Sequence, residues 1–220
     1  MLIKKYVNET NSDVLYPELS TLQLGRSAKI LDSEFEGNSD VGDFTCVNRS
    51  VINSYSGIGA LTYISDSEVG RYAMIGSRVS IGGFEHPTNW LSVAAFQWGQ
   101  STENWDVSQD TKKKLRKNTK PNYLKTIVGP DCWLGNNSVV LSGVKLGVGC
   151  VIGAGSVVTK DVKSYDIVVG NPARLLRKRF ESKTVLELIE SKWWELPLEK
   201  IADLDFKNID ESLKKIRDII

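Results

Sequence analysis

The chain has 220 residues, 25% of them charged and 41% hydrophobic, with a formal net charge of +1. That length suits one large domain or a domain with an appendage, and the composition is that of an ordinary soluble globular protein. The charge balance gives no case for nucleic-acid or polyanion binding. No run approaches the roughly 20 apolar residues that a membrane-spanning helix needs.

In chain order, the opening MLIKKYVNET lacks a continuous apolar stretch and a small-residue cleavage site, so no signal peptide is expected. A loose six-residue pattern follows: LGRSAK at Leu24, VGDFTC at Val41, VNRSVI at Val47, VGRYAM at Val69 and IGSRVS at Ile75, then Ile81-Gly82. Its phase slips around residues 36 to 40, 53 to 58 and 64 to 69, which predicts irregular corners or imperfect coils in this part.

From Ile81 to Val128 the pattern stops. The break opens with IGGFEHPTNW, which contains His86, the single histidine of the chain. A stretch this long inside a compact domain is functional or disordered, and Trp90, Phe96, Trp98, Trp105 and Tyr123 argue for order. Its second half gathers Lys112, Lys113, Lys114, Arg116, Lys117 and Lys120. Such a run is either a solvated surface or an attractor for a phosphate-bearing ligand.

From Val128 the period of six is strict: VGPDCW, LGNNSV, VLSGVK, LGVGCV, IGAGSV, VTKDVK. The first position is always aliphatic and the fifth always small, and glycine holds the second in Gly129, Gly135, Gly147 and Gly153. A hexapeptide period signals a parallel β-helix, in which three blocks make one triangular turn of 18 residues. Aliphatic side chains then fill the interior, and stacked coils bury a continuous apolar column. Glycine is expected at the corners for its backbone freedom. Cys132 and Cys150 fall one turn apart, so they should stack as small interior residues rather than form a disulfide or metal pair. With Cys46 they are three, odd in number and without zinc spacing, which predicts a reduced, cytoplasmic protein with no metal.

After Gly170-Asn171-Pro172 the character changes. RLLRKRF is basic, and Val185, Leu188, Ile189 and Trp193 recur at helical spacing until Pro197, which should stop the helix. IDESLKKIRDII reads as a second helix. Residues 1–175 are thus expected to be a β-helix with a long loop at about 83–126, and residues 176–220 a helical cap over the terminal coil.

The stretch VIGAGSVVTKDVKSYDIVVGNPARLLRKRF resembles the closing coils of the hexapeptide-repeat acyltransferases. IGGFEHPTNW, the long loop and KWWELPLEKI resemble their xenobiotic acetyltransferase branch, which includes chloramphenicol and streptogramin acetyltransferases and many surface-polysaccharide sugar acetyltransferases. The resemblance covers residues 41 to 205. It implies a mainly β protein, a left-handed parallel β-helix assembled as a homotrimer, with acetyl-CoA bound between subunits.

The same resemblance makes His86 the catalytic base, an imidazole being suited to take a proton at neutral pH. Whether Glu85 or a backbone carbonyl orients it stays open. The resemblance places acetyl-CoA against Gly153, Ala154, Thr159 and Lys160, with Arg174 near its phosphates. Trp90, Phe96 and Trp98 would offer a stacking wall to a sugar acceptor, or else pack the loop. The implied activity is acetyl transfer to an amine or hydroxyl of a sugar, as in lipopolysaccharide synthesis. Xenobiotic O-acetylation is the alternative, disfavoured by so basic a loop. A non-catalytic scaffold would have no reason to join this histidine loop to a GNPA coil.

Overall fold

The computed structural model describes residues 3–7, 21–100, 102–116 and 124–219. Short parallel strands wind into a three-faced β-helix. The first face stacks Leu22–Leu24, Ser39–Val41, Gly57–Ile58, Met74–Ile75, Trp133–Leu134, Val151–Ile152 and Asp166–Val169 in parallel register. The second stacks the start of Lys29–Phe35 with Cys46–Asn48, Tyr63–Ser65, Ser80–Gly82, Val139–Val140 and Val157–Val158. The third takes the end of Lys29–Phe35, then Val51–Ile52, Ser67–Val69, Thr126–Val128 and Lys145–Leu146. Ile3–Val7 pairs antiparallel with Lys29–Phe35. The predicted mainly β solenoid is present.

The interior is the aliphatic column that the repeat demands: Val41, Ile58, Ile75, Leu134 and Ile152 of the first face meet Val47, Ile64, Ile81, Val140 and Val158 of the second and Ile52, Val69, Val128 and Leu146 of the third, all buried. These residues form one continuous cluster from coil to coil, so stability accrues with stacking. Cys132 and Cys150 lie in this column with their sulfurs 3.5 Å apart, both free thiols. The neighbouring Cys132 sulfur and then burial push the Cys150 thiol up, so it stays protonated.

The irregularity expected in the early coils is absent. Leu24, Val41, Ile58 and Ile75 stand in register at intervals of 17 residues, as do Ile30, Val47, Ile64 and Ile81. One side of each early coil has five residues where the later coils, with an interval of 18, have six. The slips in the sequence are therefore a regular shorter coil, phased on the turns between second and third faces at Asp32, Arg49 and Asp66.

The repeat glycines also have a different cause. Gly42, Gly59 and Gly135 have no positive φ; a Cβ on them would lie 2.5, 2.5 and 2.6 Å from backbone atoms of the next coil. Glycine is there because coils approach closely, not because the turn needs its freedom. The left-handed positions two residues on are held by Ser27, Phe44, Leu61, Arg78 and Asn137, with φ between 55° and 60°.

At the C-terminus Arg174–Lys178 turns back antiparallel on Asp166–Val169 and ends the first face. Helix α2, distinct from a loop helix described below, spans Ser182–Ser191; α3 spans Leu198–Ile201 and α4 Ile209–Ile219. The first of these ends before Pro197, at a left-handed Lys192, and Pro197 instead caps the start of α3. Buried Leu188, Leu213, Ile201 and Ile216 pack, with Trp193, against Tyr72, Val148 and Tyr165. Those three line the edge between third and first faces, in coils stacked along one flank with the coil of Asp131 between Tyr72 and Val148, so the helices cover a flank, where the sequence predicts a cap on the end. Arg71 fastens them, donating to Glu36 of an earlier coil through both nitrogens of its fork and to the Glu195 carbonyl at 3.4 Å.

Candidate active site

The coil breaks open at one edge. In the earlier coils the chain passes from second to third face through a single left-handed residue, Asp66 in the coil before. Here it leaves at Gly82 and Gly83, with φ of 67° and 98°, and re-enters at Thr126, whose amide donates to the Asp66 carbonyl at 3.0 Å. A Cβ on Gly82 would sit 2.7 Å from the Ser67 hydroxyl. This glycine is therefore required both for its φ and for its closeness to the coil beneath.

The inserted loop has its own small core. Trp98, 7% exposed, packs edge-on to Phe84 at 5.5 Å and to Trp90 at 5.9 Å, and its indole donates to Gln100 Oε1 at 3.0 Å. Phe96 meets Trp105 at 6.1 Å, and buried Thr102 donates to the Gly99 carbonyl. Helix α1 (Gln109–Leu115) is capped by Ser108 and turns Lys112 inward to donate to the Glu103 carbonyl at 2.8 Å. Lys114 pairs with Asp110 at 2.7 Å and Arg116 with Glu103. The basic run is thus partly absorbed by the loop itself; Lys117, Lys120 and Tyr123 lie outside the described residues.

His86 stands exposed on this core, 4.9 Å from Phe84 and 6.0 Å from Trp98 by ring centroids. Its Nδ1 lies 2.5 Å from the Val93 carbonyl oxygen. A carbonyl only accepts, so Nδ1 carries a proton, and in the neutral ring it is Nε2 that presents a lone pair, away from the contact. The orienting partner is this backbone carbonyl and not Glu85, which is exposed beside it. The residue could not be named from sequence because a carbonyl is common to every residue.

The other predicted residues divide between two edges. Thr159 and Lys160 are exposed just past Val157–Val158, at the edge from which the histidine loop departs, since Ile81, Val140 and Val158 are in register. Two coil steps at about 4.8 Å put them roughly 10 Å along the axis from the root of the loop. Gly153, half-buried, and exposed Ala154 lie at the opposite edge of the same face, where a Cβ on Gly153 would meet Val169 at 2.7 Å. Exposed Arg174 begins the antiparallel return. Between the edges the second face shows half-buried Ser80, Val139 and Val157, with exposed Tyr63 in the coil before Ser80.

Two hollows of about 740 and 590 Å³ lie elsewhere, beside α4 and on the first face, and neither includes His86. Among the described residues the imidazole faces open surface. Among the described residues no cluster of three or more His, Cys, Asp or Glu could hold a metal, and no helix is long and apolar enough to cross a membrane.

Residues 125–160 match the model of the bacterial transferase hexapeptide repeat. Over 136 residues, 60% of its length, the chain is 37% identical to a chloramphenicol acetyltransferase of Klebsiella aerogenes, and it spans 61% of that relative. It is 40% identical over 78 residues to a probable macrolide acetyltransferase of Lysinibacillus sphaericus, covering 36% of this chain and 43% of that one. Its fold superposes on a mutant of AntD, an N-acyltransferase from Bacillus cereus, solved with dTDP-4-amino-4,6-dideoxyglucose and coenzyme A, with a TM-score of 0.55, 22% identity, and coverage of 78% and 90% of the two chains. At that identity the likeness is one of fold.

Proposed function

We propose that this chain is an acetyl-CoA-dependent acetyltransferase acting on an amine or hydroxyl of a sugar, with His86 as general base. The observation that carries the reading is the fixed imidazole: Nδ1 bound to the Val93 carbonyl leaves Nε2 as the only ring acceptor, beside an open edge. The named relatives and the ligands of AntD support the reaction class.

In the reaction the acceptor heteroatom attacks the thioester carbonyl carbon while Nε2 takes its proton. The tetrahedral intermediate then expels coenzyme A as its thiolate, which takes the proton back from the imidazolium. No metal or enzyme nucleophile enters. A backbone N–H would hold the oxyanion. Acetyl-CoA would lie along the second face, its pantetheine over Gly153 and Ala154, with Thr159 and Lys160 beside it and Arg174 at the phosphates, where cations suit the anionic groups. Trp90, 38% exposed, and half-buried Phe96 would stack on the sugar, while Trp98 supports them from within and Glu85 flanks the acceptor.

The reading makes residues 1–175 the acyltransferase β-helix and 176–220 a helical appendage, in a cytoplasmic homotrimer whose neighbouring subunit closes the open side of His86. Xenobiotic acetylation is the second reading, favoured by the identity to the chloramphenicol enzyme. Thiol release from acetyl-CoA, measured against nucleotide-linked amino sugars, plain sugars and chloramphenicol, separates the two. Turnover with a sugar class supports the proposal; turnover with chloramphenicol alone replaces it; silence throughout refutes both.

A further inference from the structure

The carbonyl that orients His86 is itself held. Val93 C=O and Ala94 N–H belong to one planar peptide unit, so fixing either fixes both. The Ala94 amide donates to the Ser92 hydroxyl at 3.0 Å. The two flanking peptide units are pinned by a single side chain: Gln97 Nε2 donates to the Ser92 carbonyl and, at 3.3 Å, to the Ala94 carbonyl. Both partners are acceptors, which assigns the amide NH2 to that side. The Gln97 backbone N–H also donates to the Ala94 carbonyl at 3.4 Å. Gln97 thus sets the outer two of three consecutive peptide planes, and the middle one, held between them and by the Ser92 hydroxyl, receives the imidazole proton.

We infer that Gln97 is a positioning residue: by clamping residues 92–94 it aims the Val93 carbonyl and so fixes the tautomer and direction of His86. It sits on the 3-10 turn Ala95–Trp98, whose last residue, Trp98, packs beside the imidazole. One turn therefore carries both the wall behind the base and the latch that orients it. A residue serving only to fill the loop would not need two donors directed at the carbonyls on either side of Val93. The inference rests on His86 as base for its effect on rate, but its structural part does not.

The single histidine makes the test clean, since 15N-labelled histidine gives one set of ring signals from the folded protein. The wild type should show the Nδ1–H tautomer. Gln97→Glu, which removes the NH2 and sets a carboxylate against two carbonyls, should lose it for the mixture of a free imidazole, in which Nε2–H prevails. Gln97→Met keeps the length without the donors and should do the same with little loss of folding. In thiol release, kcat should fall about 10- to 100-fold in both, the scale of a small misplacement of a catalytic group, with KM for acetyl-CoA unchanged. A wild type lacking the Nδ1–H tautomer, or either variant keeping it, overturns the inference. A locked tautomer lost in both variants, in a protein that releases no thiol, would uphold the latch while refuting the acetyltransferase reading.

Discussion

At the scale of single residues, close approach explains more than conformational freedom does. Gly59 lies against backbone of the following coil, where no side chain can move aside. Gly59→Ala should destabilise by about 1–3 kcal/mol, the usual effect of overpacking, read as a lower midpoint in urea. The same change at Gly155, which has open space around its Cβ site but a φ of 69°, tests the contrary case: only its backbone conformation should resist. A larger loss at Gly155 than at Gly59 would show turn geometry to be the stronger constraint. In sequence the glycine pattern was visible but its reason was not, because identical spacing follows from either cause. His86 was legible as a singular residue in a motif. Its partner was a main-chain atom, and Gln97 acts through main-chain atoms, so neither had a sequence signature.

At the scale of elements, the coil is the unit, and its length is the sharpest lesson. Hexapeptide arithmetic fitted the later coils because they keep 18 residues per turn; applied to 17-residue coils it produced apparent slips. Of the hydrophobic positions named in the early blocks, Val41, Val47, Val69, Ile75 and Ile81 are nonetheless buried, since a shortened side displaces the phase without turning aliphatic residues outward; Leu24, at the start of the described coils, is exposed. The C-terminal helices were foreseen by periodicity, but no local pattern says which surface they cover. Their attachment through Arg71 has a pH signature. Paired with Arg71 and accepting from the Ser54 amide at 2.9 Å, Glu36 is held down to about 2, from an ordinary 4.5. A depressed carboxylate adds stability above its unfolded value and loses it as pH falls through the folded one. Glu36→Gln should therefore cost about 3 kcal/mol near neutral pH, an upper figure for a partly accessible pair, and the gap to wild type should close between pH 4.5 and pH 2. Denaturation midpoints measured across that range check it. A gap that persisted to pH 2 would mean that the glutamate acts through packing and not through its charge.

At the scale of the whole molecule, the proposed site is one-sided. His86, Thr159 and Lys160 share an edge of the prism, the second face runs beside it, and among the described residues nothing closes over the imidazole. A reaction that must exclude water and hold two substrates needs a second wall. The proposal supplies it from a neighbouring copy, so light scattering on the purified protein should give the mass of three chains. A monomer that still turns over would require the loop alone to enclose the substrates.

The central claim is that His86 is the base for acetyl transfer. The most direct measurement is the rate of thiol release from acetyl-CoA for His86→Asn beside the wild type, with the best acceptor of the panel and with acetyl-CoA-dependent melting as a control for binding. The account predicts a fall of about 100- to 10,000-fold in the variant, the usual contribution of a general base, with acetyl-CoA still raising the melting temperature of both. An undiminished rate in His86→Asn would contradict it.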